Sequence, residues 1–232
     1  MMSSNVISTL AKVFYEPKSA FESLKEKPAA WLPLALIILG SMIVFYWYYA
    51  TVDFPWLLDH TLSAQHDLKP DAKAAMASFM TKNTMMYSTL GGLLIATPIV
   101  FALFGLYYWL AAKVMGSEIG YGKWFHFAIW ISVPTLLGLP LMALQVATGH
   151  GQISTEDLNM LSINYLTVHA PLDAPWSGIL NNLSLTTFWT LFLSFIGLRV
   201  WTGRSATACA LAAVLPYALV YGGWALKIAF SH

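Results

Sequence analysis

Four side chains in one polar stretch, Asp59, His60, His66 and Asp67, are of the types that ligate metals or move protons. Their spacing matches none of the tight zinc patterns, so a solvated loop carrying two histidines is the expectation, with no metal and no cofactor. Cys209 is the only cysteine, which excludes an intrachain disulfide and a cysteine metal cluster. His126 lies just inside an apolar run, where an interfacial side chain is expected ahead of a proton relay. No HExxH, no GxSxG and no Cys–His pair occurs. The sequence therefore offers no catalytic residue, and a histidine–aspartate site in the outer loops is the one enzymatic alternative it leaves open.

The elements around these residues are apolar. Met86–Ala112 and Trp124–Ala147 are two long hydrophobic runs separated by the short turn Lys113–Lys123. Each exceeds the roughly 20 residues a helix needs to cross about 30 Å of hydrocarbon, so the pair reads as a hairpin in a bilayer. The chain is 58% hydrophobic and 10% charged, against about 25% charged in a soluble domain. A net charge of +1 without a basic stripe excludes a nucleic-acid partner.

The same reading along the whole chain predicts an all-α polytopic membrane protein, a bundle of five transmembrane helices in a single domain. The spans fall at about 31–52, 85–112, 124–146, 180–201 and 206–230. No cleaved signal peptide is expected, because some 30 mixed-charge residues precede the first run. Within residues 1–30, Val6, Ile7, Leu10, Val13 and Phe14 share one helical face. Pro17 opens a second short amphipathic helix bearing Ala20, Phe21 and Leu24. Such a leader is expected to lie in the interface plane; packing on cytosolic loops is the alternative.

Finer expectations follow from local chemistry. Pro70-Asp71 suits a helix start, with Ala72–Lys82 helical and running towards the second span. Ser154 with Asp157 resembles a helix N-cap, predicting a short helix over Thr155–Ser162. Pro98, Pro134 and Pro216 predict kinks. Pro134 and Pro216 stand at equal distances after Lys123 and Ser205, an echo that an old repeat and chance explain equally. Gly92 with Ala96, and Ala208 with Ala212, are small residues that allow close helix approach. Together with Gly116, Tyr121, Pro134 and Gly203 they are the candidate helix-packing, partner or lipid contacts.

Basic residues set the orientation. The side holding the leader, the Lys113–Lys123 turn and the Arg204 turn carries eight Lys and Arg, against four on the other. This places the N-terminus in the cytosol and the C-terminus outside.

The chain resembles the Yip1 domain family in its bacterial form. Val13-Phe14-Tyr15-Glu16-Pro17-Lys18-Ser19-Ala20-Phe21 is similar to that family's VF-x-x-P-x-x-AF opening, and Pro28–Trp31 to its proline-tryptophan entry into the membrane. Gly116–Pro134 resembles its glycine turn leading into a proline-centred helix. Gly197-Leu198-Arg199, Gly203-Arg204-Ser205 and Ala208 resemble its last hairpin. The resemblance implies five helices and a cytosolic N-terminus. Eukaryotic members are linked to small GTPases and vesicle traffic through a long cytosolic N-terminal domain that has no counterpart in this sequence.

Three functions compete. The first is a non-catalytic protein of the bacterial inner membrane that shapes membrane or scaffolds, with membrane lipids, other membrane proteins or its own copies as partners. The second is a transporter of a lipid or other neutral substrate, because ion-coupled carriers place charges inside their spans. The third is a membrane enzyme, which no motif supports.

Overall fold

The computed structural model describes residues 2–65 and 68–230. His66 and Asp67, two of the four metal-like side chains, lie outside the described residues. The described chain is helical, and its one β-type pairing is an isolated bridge between Ser162 and Ser184. The helices are α1 (Met2–Tyr15), α2 (Pro17–Glu26), α3 (Trp31–Thr51), α4 (Phe54–Ser63), α5 (Pro70–Phe79) and α6 (Lys82–Val114). They continue as α7 (Tyr121–Ile131), α8 (Gly138–Thr148), α9 (Ser177–Asn182), α10 (Leu185–Thr202) and α11 (Ala206–Phe230). Five segments are long and apolar enough to cross a membrane: α3, α6, α7 joined to α8, α10 and α11.

Local chemistry explains most of the ends. Pro17 opens α2 and Pro70 opens α5, where a missing N–H costs nothing. Asp53 caps α4 by accepting from the Trp56 N–H at 3.3 Å. Gly116 closes α6 at φ +78°; its N–H donates to the Lys113 carbonyl and that of Ser117 to the Ala112 carbonyl, the bond pair of a Schellman cap. Gly203, at φ +66°, closes α10 with a single bond to the Arg199 carbonyl.

The three central prolines behave differently. α6 continues through Pro98 and α11 through Pro216. At Pro134 the helix gives way to a 3-10 turn, Val133–Leu137, before α8 resumes. Two hydroxyls occupy carbonyls around this break: Ser132 Oγ donates to Ala128 O at 2.9 Å and Thr135 Oγ1 to Ser132 O at 2.7 Å. The echo between Pro134 and Pro216 therefore does not extend to backbone conformation.

Other expectations need correction. The stretch carrying Asp59 and His60 is not a plain loop, because α4 occupies Phe54–Ser63, whereas α5 starts at Pro70 as expected. α5 stops at Phe79 and does not run into α6; Thr81 takes the role of a cap, its Oγ1 accepting from the Thr84 N–H at 3.1 Å. Ser154 does accept from the Asp157 N–H, at 3.4 Å, but the residues after it form turns rather than a helix. The fourth span begins at Leu185, not at residue 180. The chain before it is held by Leu185 N–H to Leu161 O and Ile163 N–H to Leu183 O, a pairing that competes with the helix.

The chain divides into two compact units. One comprises the residues up to Ile37, Ala96–Leu136 and those from Thr186 on. Its core is aromatic: Phe21, Tyr108, Trp124, Phe127, Trp130 and Trp201 are all buried. The other comprises Ile38–Ile95 and Leu137–Leu185. Its smaller core gathers Tyr48, Tyr49, Leu57, Val146 and Leu158. There the Asp53 N–H donates to Gly151 O at 2.8 Å and Tyr48 Oη to Ile153 O at 2.9 Å. Gly151 stands at φ +80°, and a Cβ on it would lie 2.9 Å from the Thr51 carbonyl oxygen. Both constraints demand glycine.

Candidate functional site

The aromatic unit is assembled around the leader. The apolar face of α2 (Ala20, Phe21 and Leu24) is buried by protein. Phe21 packs against Phe127 with ring centroids 5.5 Å apart, and its carbonyl accepts from Trp201 Nε1 at 2.9 Å. In α1, Val13 is fully buried and Val6, Leu10 and Phe14 pack on the same core, whereas Ile7 is exposed. Most of this stripe is therefore covered by protein. An amphipathic face covers apolar surface of either kind, and here α7 and α10 supply it.

Within this unit α6 and α7 approach closely at Gly105. A Cβ there would meet Phe125 Cα at 2.8 Å and Phe125 N at 3.0 Å. Gly197 is similarly confined by the rings of Phe127 and Phe21. Tyr108 Oη donates to Ser194 Oγ at 3.0 Å, which donates onward to Thr190 O at 2.7 Å. Tyr107 Oη donates to Ala212 O at 2.7 Å, tying α6 to α11.

The predicted contact residues scatter. Gly92 and Ala96 are exposed, and nothing lies within 4 Å of a Cβ built on Gly92. They are not where the helices of this chain approach each other. Gly116 and Gly203 serve as helix caps. Tyr121 opens α7 and donates from Oη to Ala102 O at 3.2 Å. Pro134 is buried at the 3-10 turn. Ala208 and Ala212 are half-buried; their neighbours Cys209 and Ala213 are, with Ile228, the buried residues of α11. Sequence reasoning missed Gly105 and Gly197. The signal for Gly105 was present, since Phe101, Gly105, Tyr108 and Ala112 form one helical stripe.

The loop histidine has a structural partner. His60 Nε2 lies 2.7 Å from Glu156 Oε1, and its ring stacks on Trp56 with centroids 5.2 Å apart. Asp59 is exposed. Among the described residues no three His, Cys, Asp or Glu side chains are placed to hold a metal. His126 stands edge-on to Trp31, with ring centroids 5.2 Å apart.

What decides the family is the match of the Yip1 domain to residues 11–226, from within α1 to within α11. The chain belongs to the Yip1 family. Membrane protein YknW of Bacillus subtilis (strain 168) is similar to it, 25% identical over 218 residues that cover 91% of this chain and 86% of that protein. No solved structure matches the chain. The Yip1 match begins inside α1, so α2 and the end of α1 fall within the family's domain.

Proposed function

We propose that this Yip1-family membrane protein is a non-catalytic scaffold that works through contacts with lipids, other membrane proteins or further copies of itself. The observation that carries this reading is the outer surface of α6 and α11. Leu94, Ile95, Ile99, Leu103 and Leu110 of α6 are exposed on this chain, as are Leu211, Leu215, Leu219 and Val220 of α11. In each helix the apolar window is only 11% buried. Faces of this kind are solvated by lipid tails or by another helix. Gly91, Gly92, Gly222 and Gly223 add places where a foreign backbone meets no obstruction.

The site of action is the bacterial inner membrane, with the N-terminus cytosolic and the C-terminus outside. The excess of Lys and Arg on the leader side supports this orientation. Alkaline phosphatase fused after residue 232 is then active in a bacterial host, and a cytosolic signal there overturns it. The function itself is tested by reconstituting the purified chain in vesicles. The expected result is a defined set of lipids or copies retained in native mass spectrometry, with ion, solute and lipid translocation at the level of protein-free vesicles. Protein-dependent translocation of any of these overturns the scaffold in favour of a transporter.

A further inference from the structure

α2 does not lie flush on α10. Between them runs an open groove of about 630 Å³, within the range of small-molecule sites. Its floor is apolar, formed by Phe195, Ile196 and Val200. Its rim carries three cations, Lys18 and Lys25 from α2 and Arg199 from the last turn of α10. Glu22 and Glu26 face the same space. Among the described residues none of these five charges is in an ion pair.

The walls are fixed. Beyond the Trp201–Phe21 bond, Lys123 Nζ donates to the Lys25 carbonyl at 2.7 Å, and Lys25 Nζ reaches the Val200 carbonyl at 3.4 Å. Bonds at the middle and the C-terminal end of α2, one of them made by the rim cation Lys25, therefore fix the groove's walls. Arg199 ends an apolar span, the level at which lipid headgroups sit.

Charge complementarity selects the occupant. A guanidinium fork and an ammonium suit a phosphodiester. Two carboxylates beside them oppose a purely anionic headgroup and suit a primary ammonium. One class of molecule carries both charges on an acyl chain that an apolar floor accepts. We propose that this groove binds a zwitterionic aminophospholipid, its phosphodiester on Arg199 and Lys18, its ammonium group at Glu22 and Glu26, and a chain along Phe195 and Ile196. The proposal rests on the reading of the protein as one that works through lipid contact, and it names the lipid.

The test uses the full chain in detergent with equal amounts of phosphatidylethanolamine, phosphatidylglycerol and phosphatidylcholine of matched acyl chains. Retention is read by native mass spectrometry. The unmodified protein keeps phosphatidylethanolamine over phosphatidylglycerol by about fivefold, the upper range for exposed charge pairs. Glu22→Gln combined with Glu26→Gln brings that ratio to unity or below, and Arg199→Ala lowers retention of all three. Both carboxylates are exposed, so the double variant keeps its elution profile. Millimolar glycerophosphoethanolamine, the headgroup without chains, does not displace the lipid. Equal retention of the lipids by the unmodified protein, an unchanged ratio in the double variant, or displacement by the soluble headgroup each overturns the assignment. Indiscriminate retention does so while leaving the scaffold reading standing, and translocation in vesicles sinks that reading separately.

Discussion

Gly105→Ala against Gly92→Ala measures how tightly α6 is applied to α7. The added methyl at position 105 would stand 2.8 Å from Phe125 Cα and 3.0 Å from Phe125 N. Unstrained carbon contacts sit at about 3.5–4.0 Å, so helix backbone must retreat by roughly 1 Å. Backbone yields less readily than a side-chain tip, and overpacking of this kind costs about 1–3 kcal/mol. Alanine also gains about 1 kcal/mol of helix propensity over glycine. At position 92 that gain stands alone, because nothing lies within 4 Å of the new methyl. Propensity cancels between the two variants, and the difference isolates the clash. For a chain of this size about 1 kcal/mol shifts Tm by roughly 2–4 °C. Thermal unfolding in detergent, followed by tryptophan fluorescence, should therefore place Gly105→Ala several degrees below Gly92→Ala. Equal midpoints, or a more stable Gly105→Ala, refute the close approach.

Trp201→Phe removes the donor to the Phe21 carbonyl, a buried hydrogen bond worth about 0.5–1.5 kcal/mol. Amide exchange across residues 17–26 should accelerate while that of α11 is unchanged; uniform acceleration would show global unfolding instead. Cys209 is fully buried. A membrane-permeant maleimide should leave it unmodified in the folded protein and label it fully in denaturant, and rapid labelling of the folded protein would contradict its place in the core.

The spans were legible because crossing a bilayer demands a length of apolar chain that little else produces. Capping chemistry was legible where one residue decides, as at Pro17 and Pro70. Ser154 was not, since its hydroxyl bonds the Asp157 N–H equally well in a turn, and pairing with residues 183–185 then stops a helix from forming. The prolines were not separable by sequence. Pro98 and Pro216 continue their helices, and only Pro134 is followed by a 3-10 turn. For the packing face, residue type misled and periodicity would have served. At about 100° per residue, Gly92 is half a turn from Phe101, and Ala96 half a turn from Gly105. Small residues mark where approach is permitted, and the buried stripe marks where it happens. The leader was ambiguous for a plainer reason: lipid and protein present the same apolar surface to an amphipathic helix.

That docking has a consequence in time. The bond from Trp201 to the Phe21 carbonyl joins residues 180 apart in the chain. At about 5–20 residues per second the ribosome needs roughly ten to forty seconds to deliver the partner after the leader has emerged. Throughout that interval Phe21 and Leu24 have no α10 to cover them. The nascent leader must shelter elsewhere, and the nearest apolar refuge is the surface of the membrane being entered. Its amphipathic pattern is then read twice, first by lipid as a waiting place and afterwards by α10 as a destination.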